Sequence, residues 1–410
     1  MTVFVHLVEQ TPVALWGLSA GERIRRVLGS TRPVQLLDDL QDLPASASVM
    51  LLRGDYLFDS RVVQALAASA ATLLRVRVGD SLLDLAAHVP APQAAALRRR
   101  LLHPQGDDPL PQGIVTATPD ELCPPYQEQL LKSDPPFVLP VTAENRKNLE
   151  RLLFGSAYKG ITDFITKWVW PVPAQWGVRL CVGLGLRPNH VTALNWLLAV
   201  AVGLLFWKGY TAWGLTLAWI MTYLDTVDGK LARVTVSSSK VGHLLDHILD
   251  IVHPPFWYLA WGLGLDTYDP LLLSGSVGLA IWIIFVGYVV GRLAEGGFQL
   301  WLGRFGIFCW RKIDSYSRLI TARRNPCLVL LTVSALAQRP DVGLEAVALW
   351  TLASTLFLVL RLSMAGYTRI ASGPLNSWLT EVGEQSADRS LAVRWFTRAK
   401  AHDAAGPCRK

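Results

Sequence analysis

From residue 190 onward the chain is a succession of apolar runs, at 190 to 207, 211 to 224, 248 to 265, 271 to 292, 326 to 338 and 343 to 367. A helix that crosses a bilayer needs roughly 20 mainly apolar residues in succession, so these runs are read as about six transmembrane helices. Two of them reach that length only by borrowing: the second continues past 224 into an Asp-rich stretch, and the third begins inside the same stretch. The fifth is short. Backbone polar groups in hydrocarbon must be satisfied within their own segment, which leaves the α-helix as the conformation open to such runs. With 51% hydrophobic residues and 16 Trp among 410 residues, the chain is too apolar to be one ordinary soluble domain.

The first 150 residues differ, carrying 14 Lys and Arg against 17 Asp and Glu, whereas the rest of the chain carries 25 against 15. The surplus cations fall between hydrophobic runs, which suits membrane orientation and anionic phosphate chemistry better than nucleic acid. Over 1–125, strand-sized runs such as "SVMLLRGDYLF" and "LLRVRV" alternate with helix-like segments. They predict a small soluble α/β domain with a parallel sheet. Residues 126–187 read as a connector followed by interfacial amphipathic helices, 188–370 as the membrane domain and 371–410 as a basic tail.

The loop between the fourth and fifth runs holds Arg304, Arg311, Lys312, Arg318, Arg323 and Arg324, while "LDTYDP" holds only acids. Positive charge stays inside, so both termini and the Asp-rich stretch are expected on the cytoplasmic face of an inner, cytoplasmic membrane. Glu9 interrupts the first apolar stretch, so no secretory signal is read there, and the five scattered cysteines are read as reduced thiols.

The Asp-rich stretch, "LDTVDGKLARVTVSSSKVGHLLDHILD", spans Leu224 to Asp250. Asp225 and Asp228 are three apart and Asp246 and Asp250 four apart, so on helices each pair projects from one face. One carboxylate within a membrane costs roughly 2.5 to 3.5 kcal/mol on insertion scales, and four together also repel, so positive charge must hold them. Hard oxygen donors without Cys favour Mg2+, Mn2+ or Ca2+ over zinc. Gly229 and Gly242 permit close approach, and Arg233 and Lys240 add charge for phosphate. The pattern describes a metal and phosphate site at the cytoplasmic mouth of a helix bundle. His243 and His247 flank the acids and are read as packing residues.

Asp225, Asp228, Gly229, Ala232, Arg233, Gly242, Asp246 and Asp250 fill every specified position of the signature that this stretch resembles, that of the CDP-alcohol phosphotransferase (CDP-alcohol phosphatidyltransferase) family. The resemblance covers about residues 150 to 370. It implies a six-helix membrane enzyme of lipid metabolism that moves a phospho-alcohol group from a CDP-alcohol to an acceptor alcohol and releases CMP. By the same resemblance Asp225, Asp228 and Asp246 bind two divalent ions, Mg2+ or Mn2+, and Asp250 completes that shell and acts as the base. The CDP group is expected against Gly229, Ala232, Arg233 and Gly242, with Ser239 near its phosphates. Pro188, Asn189, His190 and Val191, in "RPNHVT", resemble the family's stretch at the start of the first span. An acceptor carrying phosphate would be met by basic residues deeper in the bundle, for which Arg292 and Arg361 are the candidates, although arginines at span ends also snorkel to the interface. The family often forms homodimers through its membrane helices.

"VALWGLSAGERIRRVL" is weakly similar to the nucleotidyltransferase domain fused to some members of the family. It keeps Gly17, Gly21 and Arg23 without a full phosphate cradle, so the domain is read as a degenerate relative that binds or docks. Two other classes stay open at this point: a transporter whose intramembrane acids form a cation path, and a membrane scaffold with an inactive site.

Overall fold

The computed structural model describes residues 2–103, 109–237, 240–266, 276–382 and 390–397. It has an N-terminal α/β layer followed by a helical half. The first part runs β1 (Val3–Gln10), α1 (Ala20–Gly29), β2 (Val34–Leu37), β3 (Ser48–Gly54), β4 (Tyr56–Phe58), α2 (Ser60–Ala68), β5 (Thr72–Val78), β6 (Ser81–Pro90), α3 (Ala91–Leu102), β7 (Val115–Ala117) and α4 (Pro119–Leu122). Six strands form one sheet in the order β2-β1-β3-β6-β5-β7. Along β3 the side chains alternate between two cores. Met50 and Leu52 pack with α1 and α2, and Val49 and Leu51 pack with Leu97 and Leu101 of α3. Both faces are therefore covered, as the period-two apolar pattern of a central strand requires.

The expected all-parallel sheet is corrected to a mixed one. β1 runs parallel to β2 and β3, but β6 is antiparallel to both β3 and β5. The cause is local: Val78 pairs with Ser81 across Gly79 and Asp80, and Gly79 has a φ of +62°, so β5 and β6 are joined by a hairpin turn rather than a crossover.

Residues beyond α4 tie the two halves together. β8 (Tyr126–Gln127) pairs with β9 (Lys132–Ser133), and β10 (Val138–Pro140) returns to pair with β4. Then come α5 (Arg146–Ser156) and α6 (Pro171–Gly183). Val172, Trp176 and Leu180 of α6 are all strongly exposed, which gives that helix an apolar outer stripe.

The helical half comprises α7 (Pro188–Trp207), α8 (Thr211–Val234), α9 (Lys240–Asp266), α10 (Ser276–Gly297), α11 (Lys312–Ile320), α12 (Arg324–Leu336) and α13 (Pro340–Ser372), followed by the short α14 (Trp378–Val382) and α15 (Leu391–Phe396). Each of the six apolar runs has its helix. Three segments, Pro188–Trp207, Ser276–Gly303 and Pro340–Ser372, are long and apolar enough to cross a membrane, and α11 and α12, bent by 41°, make up to four. α8 and α9 have the length but also carry the charged stretch. Trp213, Trp282, Leu349 and Ile370 face outward, as lipid-facing positions do. Inside, Phe206, Trp257 and Trp261 stack edge to face at the centre of the bundle.

Gly264 explains how closely α9 crosses the end of α7: a Cβ there would lie 1.9 Å from the Phe206 carbonyl oxygen. The backbone cannot yield as a side chain can, so Gly264→Ala is expected to cost at least the upper end of the about 1–3 kcal/mol typical of overpacking. Gly366→Ala, with open space around it, should cost nothing. Thermal unfolding of both variants in one detergent checks this, and equal midpoints would refute the close-contact account.

Candidate active site

The carboxylates come from two helices and their counter-charge from a third. Asp225 and Asp228 lie one turn apart near the end of α8, and Asp250 lies on α9. The guanidinium of Arg324, the first residue of α12, joins the two helices. Its Nη2 donates to Asp225 Oδ2 at 2.5 Å and its Nη1 to Asp250 Oδ1 at 3.0 Å. Asp228 is buried and takes a 2.5 Å hydrogen bond from the Thr192 hydroxyl of α7. Asp250 remains the open member, with 43% of its side chain exposed. The Asp246 side chain and Ser239 lie outside the described residues. Gly242 lies in the first turn of α9.

Around this centre, Gly229 and Arg233 act together. A Cβ on Gly229 would sit 2.9 Å from Arg233 Nη2, so the glycine lets that side chain fold back along α8. Arg233 Nε and Lys230 Nζ both donate to the carbonyl of Ala157, at 2.8 and 3.2 Å, at the C-terminal end of α5, where a cation meets the negative end of the helix dipole. Ala232 is half-buried next to Arg233. At the start of α7, Pro188 and Val191 are buried while Asn189 and His190 are exposed, and the His190 ring accepts from the Arg187 backbone N–H at 3.3 Å.

The N-terminal α/β domain reaches this region as well. Arg26 of α1 donates to the Thr235 carbonyl at 2.8 Å, and the next residue, Val236, packs against the core between the sheet, α1 and α2. Val236 has a φ of +47°, a conformation that β-branched residues avoid. The chain leaving α8 is thus held by the N-terminal domain.

Two candidate acceptor cations have different surroundings. Arg292 of α10 donates to the Tyr288 hydroxyl through Nε and Nη2, and that hydroxyl donates to the Ile251 carbonyl at 2.8 Å, beside Asp250. Arg361 of α13 is instead buried in a two-pronged pair with Asp314, at 2.5 and 2.8 Å, with its guanidinium over the Trp310 ring. Its charge is already neutralised within the protein.

Sequence reasoning missed Thr192, Asn195 and Arg324. Asn195 is fully buried one turn along α7 from Thr192, and among the described residues neither atom of its amide has a hydrogen-bond partner; the same holds for Nε2 of His253, one turn along α9 from Asp250. Buried orphans of this kind call for a bound group or water. An Asn inside an apolar run was a legible signal of function.

The donor chemistry fits divalent cations. The described donors are carboxylate oxygens, without thiolate, and the cluster already holds positive charge in the form of Arg324. Among the described residues no group of three His, Cys, Asp or Glu side chains is closed enough to count as a metal centre, because the Asp246 side chain is outside them and a guanidinium lies between Asp225 and Asp250.

Residues 186–313 match the model of the CDP-alcohol phosphatidyltransferase family. The chain carries a CDP-alcohol phosphatidyltransferase domain. The match covers about a third of the chain, the family is one of transferases, and the long apolar helices are those of a membrane protein. The match begins one residue before Arg187, takes in all four signature carboxylates and ends before Arg324, a narrower span than the 150 to 370 expected from the sequence. The phosphatidylinositol phosphate synthase of Corynebacterium glutamicum is 28% identical over 200 residues, which is 47% of this chain and 84% of the relative. Two solved structures of Mycobacterium tuberculosis phosphatidylinositol phosphate synthase (PgsA1) are also similar. The one with CDP-DAG bound is 21% identical and covers 45% of this chain and 90% of its own, with a TM-score of 0.33. The one in complex with manganese and citrate is 21% identical and covers 46% and 88%, with a TM-score of 0.34. CDP-alcohol phosphatidyltransferases depend on divalent metal, in agreement with the donor set here.

Proposed function

We propose that this CDP-alcohol phosphatidyltransferase moves a phosphatidyl or polyol-phosphate group from a CDP-alcohol to an acceptor alcohol, with Asp250 as the base and CMP as the leaving group. The observation that carries this reading is the meeting of Asp225 and Asp250, from two helices, at one positive charge, with Asp228 fixed beside them by Thr192.

Asp225, Asp228, Asp246 and Asp250 would hold two divalent ions, Mg2+ or Mn2+, which when bound supply neutralisation and polarisation of the CDP diphosphate. Among the described carboxylates Asp250 is the most open to an incoming substrate, so it takes the proton of the acceptor hydroxyl. The oxygen left behind attacks the phosphorus that bears the donor alcohol, the bond from that phosphorus to the CMP oxygen breaks, and a phosphodiester is formed without ATP. Gly229, Ala232, Arg233 and Gly242, with Ser239 and the Pro188–Val191 segment, form the nucleotide side of the site. Arg292, linked through Tyr288 to the backbone beside Asp250, stands on the acceptor side. Arg361 does not, because Asp314 holds it.

The relative's name supports a phosphatidyl donor and a phosphorylated polyol acceptor; the fused architecture also allows a soluble CDP-polyol donor. Counting α8, α9 and the bent α11–α12 pair with the three long apolar segments gives six spans, with both termini on the cytoplasmic side by charge. The N-terminal domain serves as a docking element. The loop after β1, where a nucleotidyltransferase would grip its nucleotide, is occupied by contacts to α5 and α6: Trp16 Nε1 donates to the Glu150 carbonyl at 2.9 Å, and a Cβ on Gly17 would lie 3.2 Å from Val182. Arg23 is turned inward onto the Leu15 carbonyl.

Running the reaction backwards tests the proposal. With Mg2+, labelled CMP and a total lipid and polyol extract, the protein should form a labelled CDP-alcohol, and Asp250→Asn should lower the rate at least about a thousandfold. Partition of the label between organic and aqueous phases identifies the donor class. A wild-type rate equal to that of Asp250→Asn under every divalent metal would remove the transferase reading.

A further inference from the structure

Outside residues 186–313 the chain builds a cleft of about 400 Å3 between β9, α5, the loop after it, the start of α6 and α15. Lys132, Arg151, Lys159 and Lys167 line it, against one carboxylate, Asp134, which pairs with Lys132 at 2.6 Å. Lys230 and Arg233 lie directly behind, both bound to the Ala157 carbonyl at the root of the same loop. Four cations thus line the cleft with a single acid, and two more stand behind it. Two further donors at the wall, the Gln175 amide nitrogen and the Tyr158 hydroxyl, have no hydrogen-bond partner among the described residues. Crowded cations beside unpartnered donors are the makings of an anion site.

We propose that this cleft is a second binding site, separate from the signature carboxylates, for a phosphate-bearing anion. Its position opens it to two sources of that anion. Val172 lines the cleft and begins the apolar stripe of α6, so the opening lies at the level of lipid headgroups. A headgroup phosphate can enter from the bilayer and a free phosphate from the water, and both present the same oxygens to Lys159 and Lys167. Lys167 also lies over the Phe396 ring, 5.0 Å from its centroid, and Trp395 lines the same wall, so occupancy should alter tryptophan fluorescence.

The test uses the full chain without divalent metal, in two arms. One titrates inorganic phosphate into detergent-solubilised protein. The other measures retention of phosphatidylglycerol, against phosphatidylcholine, by protein in mixed nanodiscs. Wild type should bind in at least one arm, and which one identifies the source. A Lys159→Gln/Lys167→Gln variant should bind about tenfold more weakly in that arm, Lys159→Arg should keep most of the affinity, and Asp228→Asn should leave it unchanged. If the double variant does not fold, Arg151→Gln at the exposed rim should still weaken binding severalfold. No binding by wild type in either arm, unchanged binding in the lysine variants, or a loss in Asp228→Asn equal to theirs would each overturn the proposal. CMP exchange, scored separately on the same protein, shows whether the transferase reading survives either result.

Discussion

Replacing Arg324 with methionine is expected to make the fold depend on divalent cations. In the wild-type protein this guanidinium is shared by Asp225 and Asp250, at 2.5 and 3.0 Å, and is itself mostly buried, with 14% of its side chain exposed. Without it two carboxylates from different helices face each other inside the bundle. Removing one partner of a buried pair costs about 3–5 kcal/mol, and the 43% exposure of Asp250 argues for the lower part of that range because water screens it. In EDTA the variant should therefore unfold well below the wild type. Millimolar Mg2+ or Mn2+ should recover most of the loss, and the metal should bind the variant more tightly because no resident cation competes. Thermal unfolding with and without metal, together with Mn2+ binding followed by electron paramagnetic resonance, measures both effects. Identical unfolding of Arg324→Met in EDTA and in Mg2+ would show that the arginine is not the counter-ion of the site.

The second large effect concerns Arg361. Its pair with Asp314 is deeper than any other described in the helical half, with 7% and 3% of the two side chains exposed. Arg361→Ala leaves the Asp314 charge buried without a partner and should cost about 3–5 kcal/mol. An Arg361→Met/Asp314→Leu double variant removes both charges and should regain most of that. The comparison separates a structural arginine from an acceptor-binding one. If the pair is structural, the double variant keeps the wild-type KM for the acceptor, whereas Arg292→Met raises it about tenfold or more. A raised acceptor KM in the refolded double variant would return Arg361 to the acceptor side.

Much of the site was legible because its chemistry is written at short, fixed spacing. The two residues between Asp225 and Asp228, and the glycine after the pair, constrain one helix face, so no knowledge of the fold was needed to group them. The partners of those groups were not legible. Thr192 is 36 positions from Asp228, and Arg324 is 99 from Asp225 and 74 from Asp250. Such pairs are created by helix packing, and nothing in the local pattern announces them. In the same way Arg361, at the end of an apolar run, looked available until the fold brought Asp314 across to it. The α/β layer was read correctly as alternating strands and helices, but its direction was not. The Gly79-Asp80 turn between two strand-like runs signals a hairpin, and a hairpin forces antiparallel neighbours, as β5 and β6 show.

The contact at Val236 has a consequence for how the protein is made. The core between the sheet, α1 and α2 receives a side chain that follows α8, and Arg26 finds its acceptor on Thr235. During synthesis the N-terminal domain emerges first and must wait, with that edge uncovered, until α8 has been translated. Domain and membrane helices are therefore finished together, and a ribosome stalled before Val236 holds a domain whose last piece has yet to arrive.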